Sequence, residues 1–414
     1  MACALTLAPL AGGLAACSSE PGDPLAGAPY DAADQVAVNA LDSGNSGGTV
    51  DSSKPLEVTV KDGEGKITDV TAVDAVGRFV SGKLSDDGRR WHSTSPLAAG
   101  VRYTVRISTE NDDGQQGRRT VNFQTKPPNA RKLSVTFGPG NGTYGVAQPI
   151  TAELSHRVKG AEQRKRVEGA LQVTSSPRVQ GSWHWVDSKE LHFRPRSYWP
   201  AHASISVRAQ LAGVKVRNGL YGGTGKPLRM TTGDRIEALA DAGSDHMKFK
   251  RNGKTIRDIP ITTGKSGFET RYGTKVIMGK EAFVRMRSST VGIGGGDSYD
   301  LPVHWATRLT PSGEYVHAAP WSVGSQGSSN SSHGCTGMST ENAKWFFDHV
   351  RPGVPVTHVH TGGDKMPTFK NGYGDWNMSW RKWREGSALN GGGGDKSGAT
   401  NRSTGDTARL RPEL

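Results

Sequence analysis

Residues Tyr315–Thr340 read YVHAAPWSVGSQGSSNSSHGCTGMST. A short apolar run opens the stretch, a long small-residue turn fills it, and "STENAKWFFDHV" follows. That last segment predicts a helix: Ser339 or Thr340 is a natural N-cap, and Ala343, Phe346, Phe347 and Val350 share one helical face. Inside the turn lies Cys335, the only cysteine beyond position 17. An inert buried cysteine needs apolar neighbours. Cys335 sits instead between Gly334 and Thr336. A nucleophilic thiol needs an imidazole to take its proton, donors for an oxyanion and steric access. His317 and His333 lie nearby, Gly334 and Gly337 allow close backbone approach, and the coming helix N-terminus favours negative charge.

Outward from this stretch the chain is rich in strand signals. "MKFKRNGKTIRDIPITTGK" predicts two strands about an Asn252-Gly253 turn. "GTKVIMGKEAFVRMRSSTVGI" adds strands, and "VHWATRLTPSGEYVHAAPWSVG" reads as two strands joined at Pro311-Ser312-Gly313. "VPVTHVHT" closes a unit assigned to residues 233–361. Before it, period-2 alternation with Gly and Asp punctuation predicts two small immunoglobulin-like β-sandwiches, at 53–127 and 128–232. "RYTVRIST" and "RTVNFQT" read as the terminal hairpin of the first. The basic stretch His156 to Gly169 reads as a solvated loop or short helix. The fold class is therefore mainly β, two sandwiches and a β-rich third domain with one or more short helices. In the Trp-rich extension 362–386, Trp376, Trp380 and Trp383 are expected to dock back onto the third domain, with a carbohydrate-stacking surface as the alternative. Residues 387–414 read as a disordered tail.

The 414 residues carry a net charge of +13 and only 34% hydrophobic residues, with 55 glycines. Small domains with disordered ends fit this better than one large core, and the charge favours an anionic partner. "ACALTLAPLAGGLAAC" is an apolar run of signal-peptide length ending in Leu14-Ala15-Ala16-Cys17, similar to a bacterial lipobox. Residues 1–17 are thus expected to be a signal peptide with Cys17 lipidated, and 18–52 a flexible tether. No Lys or Arg precedes the apolar run, which places the true start codon upstream. An exported chain whose other cysteines leave or are lipidated keeps Cys335 unpaired, as a reactive thiol would be. Export and the lack of a recognition motif argue against nucleic acid as the partner.

Chain order separates the thiol chemistries. Papain-like enzymes place Cys before His; here His317 and His333 precede Cys335. His358 and His360 follow it, alternate on one expected strand and face one side. No Cys or carboxylate cluster completes a metal set with them, so no metal and no cofactor are expected.

A His, a spacer of about fourteen residues and then Ser-His-Gly-Cys resembles the signature of the L,D-transpeptidases, the YkuD-type catalytic domain. The order of lipobox, tether, two immunoglobulin-like domains, catalytic domain and Trp-bearing extension resembles the actinobacterial lipoprotein members. The resemblance implies that Cys335 is the nucleophile, His317 its thiolate–imidazolium partner and base, and His333 a further catalytic residue. It implies an oxyanion hole from the backbone of His333, Gly334 and Cys335, with Ser332 fixing the turn. Trp321 matches an aromatic cleft wall; Tyr299, Tyr315, Met286 and Ala318 are implied along the substrate path. The backbone carbonyl of Ala318, where relatives often have Ser, would orient the imidazole. Two positions depart from the pattern: Gly337 replaces an Asn, and Val291 replaces a lid Tyr in "SSTVGIGGGDSYD", a candidate flap.

The implied reaction is 3→3 cross-linking of peptidoglycan stem peptides with release of D-Ala through a thioester. Carbapenem β-lactams are the implied covalent inhibitors, and a lipid-anchored, extracytoplasmic position at the cell wall is implied. Two alternatives stay open at this point: a thiol L,D-carboxypeptidase using water as acceptor, and a non-catalytic wall-binding lipoprotein.

Overall fold

Alternating burial is visible along several strands of the computed structural model, which describes residues 28–41, 49–61 and 65–390. In Arg102–Glu110 the buried positions are Tyr103, Val105, Ile107 and Thr109, every second residue, as a half-buried strand requires. The chain divides into two units after Pro128.

In the first unit Arg102–Glu110 pairs antiparallel with Gln116–Thr125 and with Lys66–Asp74 in a five-stranded sheet. Its partner sheet holds Val36–Val38, Glu57–Val60, Arg90–Ser93 and Gly82–Leu84. Leu56, Val58, Trp91, Tyr103, Val105 and Ile107 fill the space between them. The Tyr103 hydroxyl accepts the Ala98 N–H (2.6 Å), closing the corner before its strand. The sandwich begins earlier than its expected start at 53. Strands Tyr30–Asp31 and Val36–Val38 belong to it, and Ala32, Val36, Val38 and Ala40 are buried. Small side chains disguised this segment as tether, yet two fully buried valines stabilise it by about 1.5–3 kcal/mol each. The expected lipobox, with Cys17, lies outside the described residues.

In the second unit a second sandwich comes first. Val135–Gly138, Ile150–Leu154, Glu190–Pro195 and Gly181–Trp185 form one sheet; Gly142–Tyr144, Leu228–Thr232, Ser204–Ala209 and Leu171–Ser176 form the other. Trp183, Trp185 and Trp199 dominate its core. The basic stretch contains a helix, Ala161–Gly169.

The third domain follows with two sheets. One orders Lys254–Pro260, His246–Arg251, Ile236–Asp241, Pro355–Val359 and Gly273–Val276. The other orders Gly279–Arg287, Asp300–Arg308, Tyr315–Ala318 and Thr336–Met338. Asn252 (φ 50°) and Gly253 (φ 84°) make the left-handed two-residue turn between the first pair. Helix Thr340–His349, capped by Ser339 Oγ accepting the Asn342 N–H, buries Ala343 and Phe346 in a core shared by both sheets.

The C-terminal segment does not dock on the third domain alone. Asn377 Oδ1 accepts the Thr274 N–H (2.8 Å) and its Nδ2 donates to Thr274 O (2.7 Å), holding it to a sheet of the third domain. The indoles go to the second sandwich instead. Trp383 Nε1 donates to Ser182 O (2.9 Å), Trp376 Nε1 to Ala147 O (2.8 Å), and Arg194 lies over the rings of Trp376, Trp380 and Trp383 at 4.8, 5.5 and 4.6 Å. A buried cation against aromatic faces explains their placement better than a carbohydrate surface. Beside them the buried His192 donates to Asp375 (2.7 Å) and faces Glu190 (2.9 Å). Burial alone pulls His192 down, but the two carboxylates outweigh it and push its pKa up to about 9. The expected tail also starts later than 387: Ser387 Oγ donates to Glu168, and Glu168 Oε2 accepts the Ala388 N–H (2.7 Å). The rest of the tail lies outside the described residues.

Candidate active site

Two neighbouring strands place the thiol and the imidazole. Tyr315–Ala318 runs parallel to Thr336–Met338, pairing Val316 with Thr336 and His317 with Gly337. Cys335 precedes its strand by one residue, alongside Tyr315, and alternation puts Tyr315 and His317 on the same side of theirs. The buried His317 ring directs Nδ1 at Ala318 O (2.8 Å). A carbonyl only accepts, so Nδ1 carries the proton and Nε2 is left as the base.

Cys335 is half-buried and unpaired. Its Sγ donates to Gly313 O (3.4 Å) and its side chain packs against the small cluster of Val303, Ala306 and Tyr315, on which Met286 and Leu301 also pack. Burial pushes the thiol up to about 12, against the Tyr315 N–H, which favours the thiolate. Burial also lowers His317, against the opposing pull of the Ala318 carbonyl. Burial thus disfavours the charged form of both groups, and the implied thiolate–imidazolium pair has to form against it.

The turn before Cys335 is tied from within and from outside. Ser332 Oγ donates to Cys335 O (2.6 Å) and accepts the Gly334 N–H (3.1 Å). Gly334 takes φ 112°, open only to glycine without strain. Thr270 Oγ1 donates to Gly334 O (2.8 Å), Thr263 O accepts the Ser332 N–H (3.0 Å), and Asn330 Oδ1 accepts the Thr263 N–H (2.8 Å). Sequence reasoning missed Thr263, Thr270 and Asn330, because nothing in a single strand-and-turn pattern shows which distant loop backs a turn.

Among the aromatic residues, the exposed Trp321 ring lies 6.0 Å from His317. Tyr299 (5.3 Å) and Phe268 (4.8 Å) flank the ring of His333, whose Nε2 faces Asp297 Oδ1 (3.4 Å). Asp297 also accepts from Lys265 Nζ (2.7 Å). Two implied substrate-path residues are differently used. The Tyr315 hydroxyl accepts from Arg308 Nε (2.6 Å), and the Ala318 side chain is buried in the core, leaving only its carbonyl at the site. His358 and His360 do not share a face. His358 is buried within the strand Pro355–Val359; His360 lies past its end at φ 53° and pairs with Asp241 (2.8 Å).

The two departures have structural counterparts. Gly337 is bridged to Thr262 by backbone hydrogen bonds of 2.9 Å in both directions, and a Cβ there would lie 3.0 Å from Ala319 Cβ and 3.1 Å from Thr262 Cγ2. The Asn of the family pattern would require these side chains to give way by a few tenths of an ångström. Val291 leans from the flap onto the Gly313 turn, within 2.7 Å of where a Gly313 Cβ would stand. The flap itself is two short 3-10 turns, Ser288–Val291 and Gly295–Asp297.

Residues 237–357 match the family profile described as the L,D-transpeptidase catalytic domain, and residues 48–215 match a bacterial Ig domain. L,D-transpeptidase 2 of Mycobacterium tuberculosis (strain CDC 1551 / Oshkosh) is 35% identical over 352 residues, 84% of this chain and 84% of its own length. L,D-transpeptidase 5 of Mycobacterium tuberculosis (strain ATCC 25618 / H37Rv) is 30% identical over 341 residues, 80% of this chain and 73% of its own. A solved LD transpeptidase in complex with imipenem superimposes with a TM-score of 0.48 at 35% identity, covering 56% of this chain and all (100%) of that one.

Proposed function

The chain belongs to the L,D-transpeptidase family, and from that premise we propose that it joins peptidoglycan stem peptides by 3→3 cross-links through a thioester on Cys335. The observation that carries the reading is the His317 ring, fixed by Ala318 O with Nε2 as its free base, on the strand beside Cys335. As the sulfur attacks the carbonyl of the third stem residue, the S–H proton passes to His317 Nε2 and a C–S bond forms. The C–N bond to D-Ala then breaks, the imidazolium protonating the leaving amine. The side-chain amine of a neighbouring stem attacks the thioester, His317 takes its proton, and the thiol is restored. One imidazole serves as acid and base in turn.

Burial disfavours both charged forms, so oxyanion donors act most strongly on the charge that develops as the substrate carbonyl arrives. We assign those donors to the N–H groups of His333 and Cys335; the Gly334 N–H is already given to Ser332 Oγ. Trp321 and Tyr299 wall the cleft. Carbapenems are expected to acylate Cys335 by the same first step. We further propose that Cys17 anchors the chain by lipid on the outer side of the membrane. Loss of membrane association in Cys17→Ala tests this, and unchanged association refutes it.

The deciding experiment feeds a tetrapeptide stem and a defined acceptor stem to the protein and weighs the products. A dimer short of one D-Ala supports the transpeptidase; D-Ala release with no dimer refutes it in favour of the carboxypeptidase. A carbapenem adduct that is lost in Cys335→Ala supports the nucleophile, and one that survives the substitution removes it.

A further inference from the structure

Behind the nucleophile lies a buried charged cluster that the acyl transfer does not use. Lys275, on strand Gly273–Val276, is fully buried (0% exposed). Its ammonium has three acceptors for its three protons: Arg271 O at 2.6 Å, Glu314 Oε1 at 3.2 Å and His358 Nδ1 at 3.4 Å. Burial pulls Lys275 below the ordinary lysine range, and Glu314 beside it opposes that pull. Glu314, 7% exposed, is held further by the guanidinium of Arg271 (3.2 Å) and by its backbone N–H (3.2 Å). His358 accepts from Lys275 at Nδ1, so its Nε2–H donates to Thr336 Oγ1 (2.8 Å).

Both ends of this cluster reach the backbone around the sulfur. Thr336 directly follows Cys335, and Glu314 directly follows Gly313, whose carbonyl takes the Cys335 S–H. Taking ionised groups out of water costs several kcal/mol each, and a pair of this kind is often matched or beaten by apolar residues for stability alone. A cluster placed against a reacting thiol has another use available to it.

We propose that Lys275 and Glu314 are positioning residues that set how readily Cys335 gives up its proton, Lys275 favouring the thiolate and Glu314 opposing it. The two act with opposite sign on the same sulfur, and the directions of their influence on the thiol agree with this. The remaining charged or titratable groups around Cys335 are His317 and Tyr315 on the neighbouring strand and Tyr299 on the flap. His358 is kept neutral, well below its ordinary value, by burial and then by Lys275. The proton itself goes to His317 as before; Lys275 keeps all of its own. The inference rests on Cys335 being the nucleophile, so its test reads the thiol independently of any transpeptidase substrate.

The full chain is alkylated with iodoacetamide across pH, and the Cys335 peptide is followed by mass to separate it from Cys3 and Cys17. Lys275→Gln should move the midpoint of Cys335 alkylation to higher pH and Glu314→Gln to lower pH, each by about one unit. Lys275→Arg should restore most of the wild-type profile, and the double variant Lys275→Met/Glu314→Leu should fall between the single ones. Carbapenem acylation of the same proteins should shift in the same two directions. Single variants that both shift the same way, or not at all while circular dichroism shows them folded, overturn the proposal. If one single variant fails to fold, the other decides: a Cys335 midpoint that does not move from wild type in its expected direction overturns the proposal. Normal alkylation shifts without any carbapenem adduct would leave the tuning intact and sink the transpeptidase reading instead.

Discussion

Asp375→Asn is the most informative change to make away from the thiol. Asp375 is fully buried and holds His192 at 2.7 Å, in the seam where the C-terminal segment meets the second sandwich. His192, carried from an ordinary 6.5 to about 9, contributes about 3 kcal/mol at roughly 1.4 kcal/mol per pH unit. Because the folded value lies above the unfolded one, that contribution is complete below pH 6.5 and is lost as pH rises through 9. The substitution should remove most of it, Glu190 retaining a minor share. Equilibrium urea unfolding followed by tryptophan fluorescence is the assay, since every Trp but Trp91 lies in the second unit. At pH 6 the midpoint should drop by roughly 1 M, taking about 3 kcal/mol over a slope of about 3 kcal/mol/M. Above pH 9 the gap should shrink to the residual cost of the altered hydrogen bond. A gap that stays constant from pH 6 to pH 10 would falsify the ion-pair account of this seam.

Three further outcomes follow from the site. Ser332→Ala removes the hydroxyl that donates to Cys335 O and accepts the Gly334 N–H, and should slow carbapenem acylation about tenfold, roughly 1.4 kcal/mol; stopped-flow rates within twofold of wild type contradict this. His317→Gln should cost about 10²–10⁴ in acylation rate, while the wild-type rate should fall on acidification only below pH 6.5, because burial holds this imidazole below its ordinary value; an acid limb above pH 7 goes against it. Gly337→Asn, which restores the residue of the family pattern, should destabilise by about 1–3 kcal/mol through crowding of Ala319 and Thr262; an unchanged unfolding midpoint counts against that packing argument.

Much of the architecture could be read beforehand because it follows from local chemistry. Asn252-Gly253, Pro311-Ser312-Gly313 and the Ser339 cap each encode their own geometry within a few residues. Cys335 and His317 could be singled out as candidates for the same reason: they stand in one short stretch with no competing cysteine. Lys275, Glu314 and His358 were not. In sequence each is a polar residue on a strand or turn, and only tertiary packing converts that into burial behind a sulfur. The segment 30–41 was missed because alanines and short valine alternation look like tether until a second sheet covers them. The Trp376, Trp380 and Trp383 cluster could be seen as a docking element, but its target could not. Arg194 lies nearly two hundred residues earlier and carries no local mark of its role.

The strap formed by the C-terminal segment has a temporal consequence. Synthesis runs from the N-terminus, so the second sandwich and the strands carrying Cys335 and His317 are complete before Trp376–Trp383 exists. Until those residues emerge, Arg194 lacks the rings that cover it, His192 has Glu190 but not Asp375, and Glu168 has Trp185 but not Ser387 and Ala388. The nascent protein therefore passes through a stage in which Cys335 and His317 are present but this seam is unsealed. The C-terminal described residues, among the last to leave the ribosome, are the ones that lock the second sandwich against the third domain.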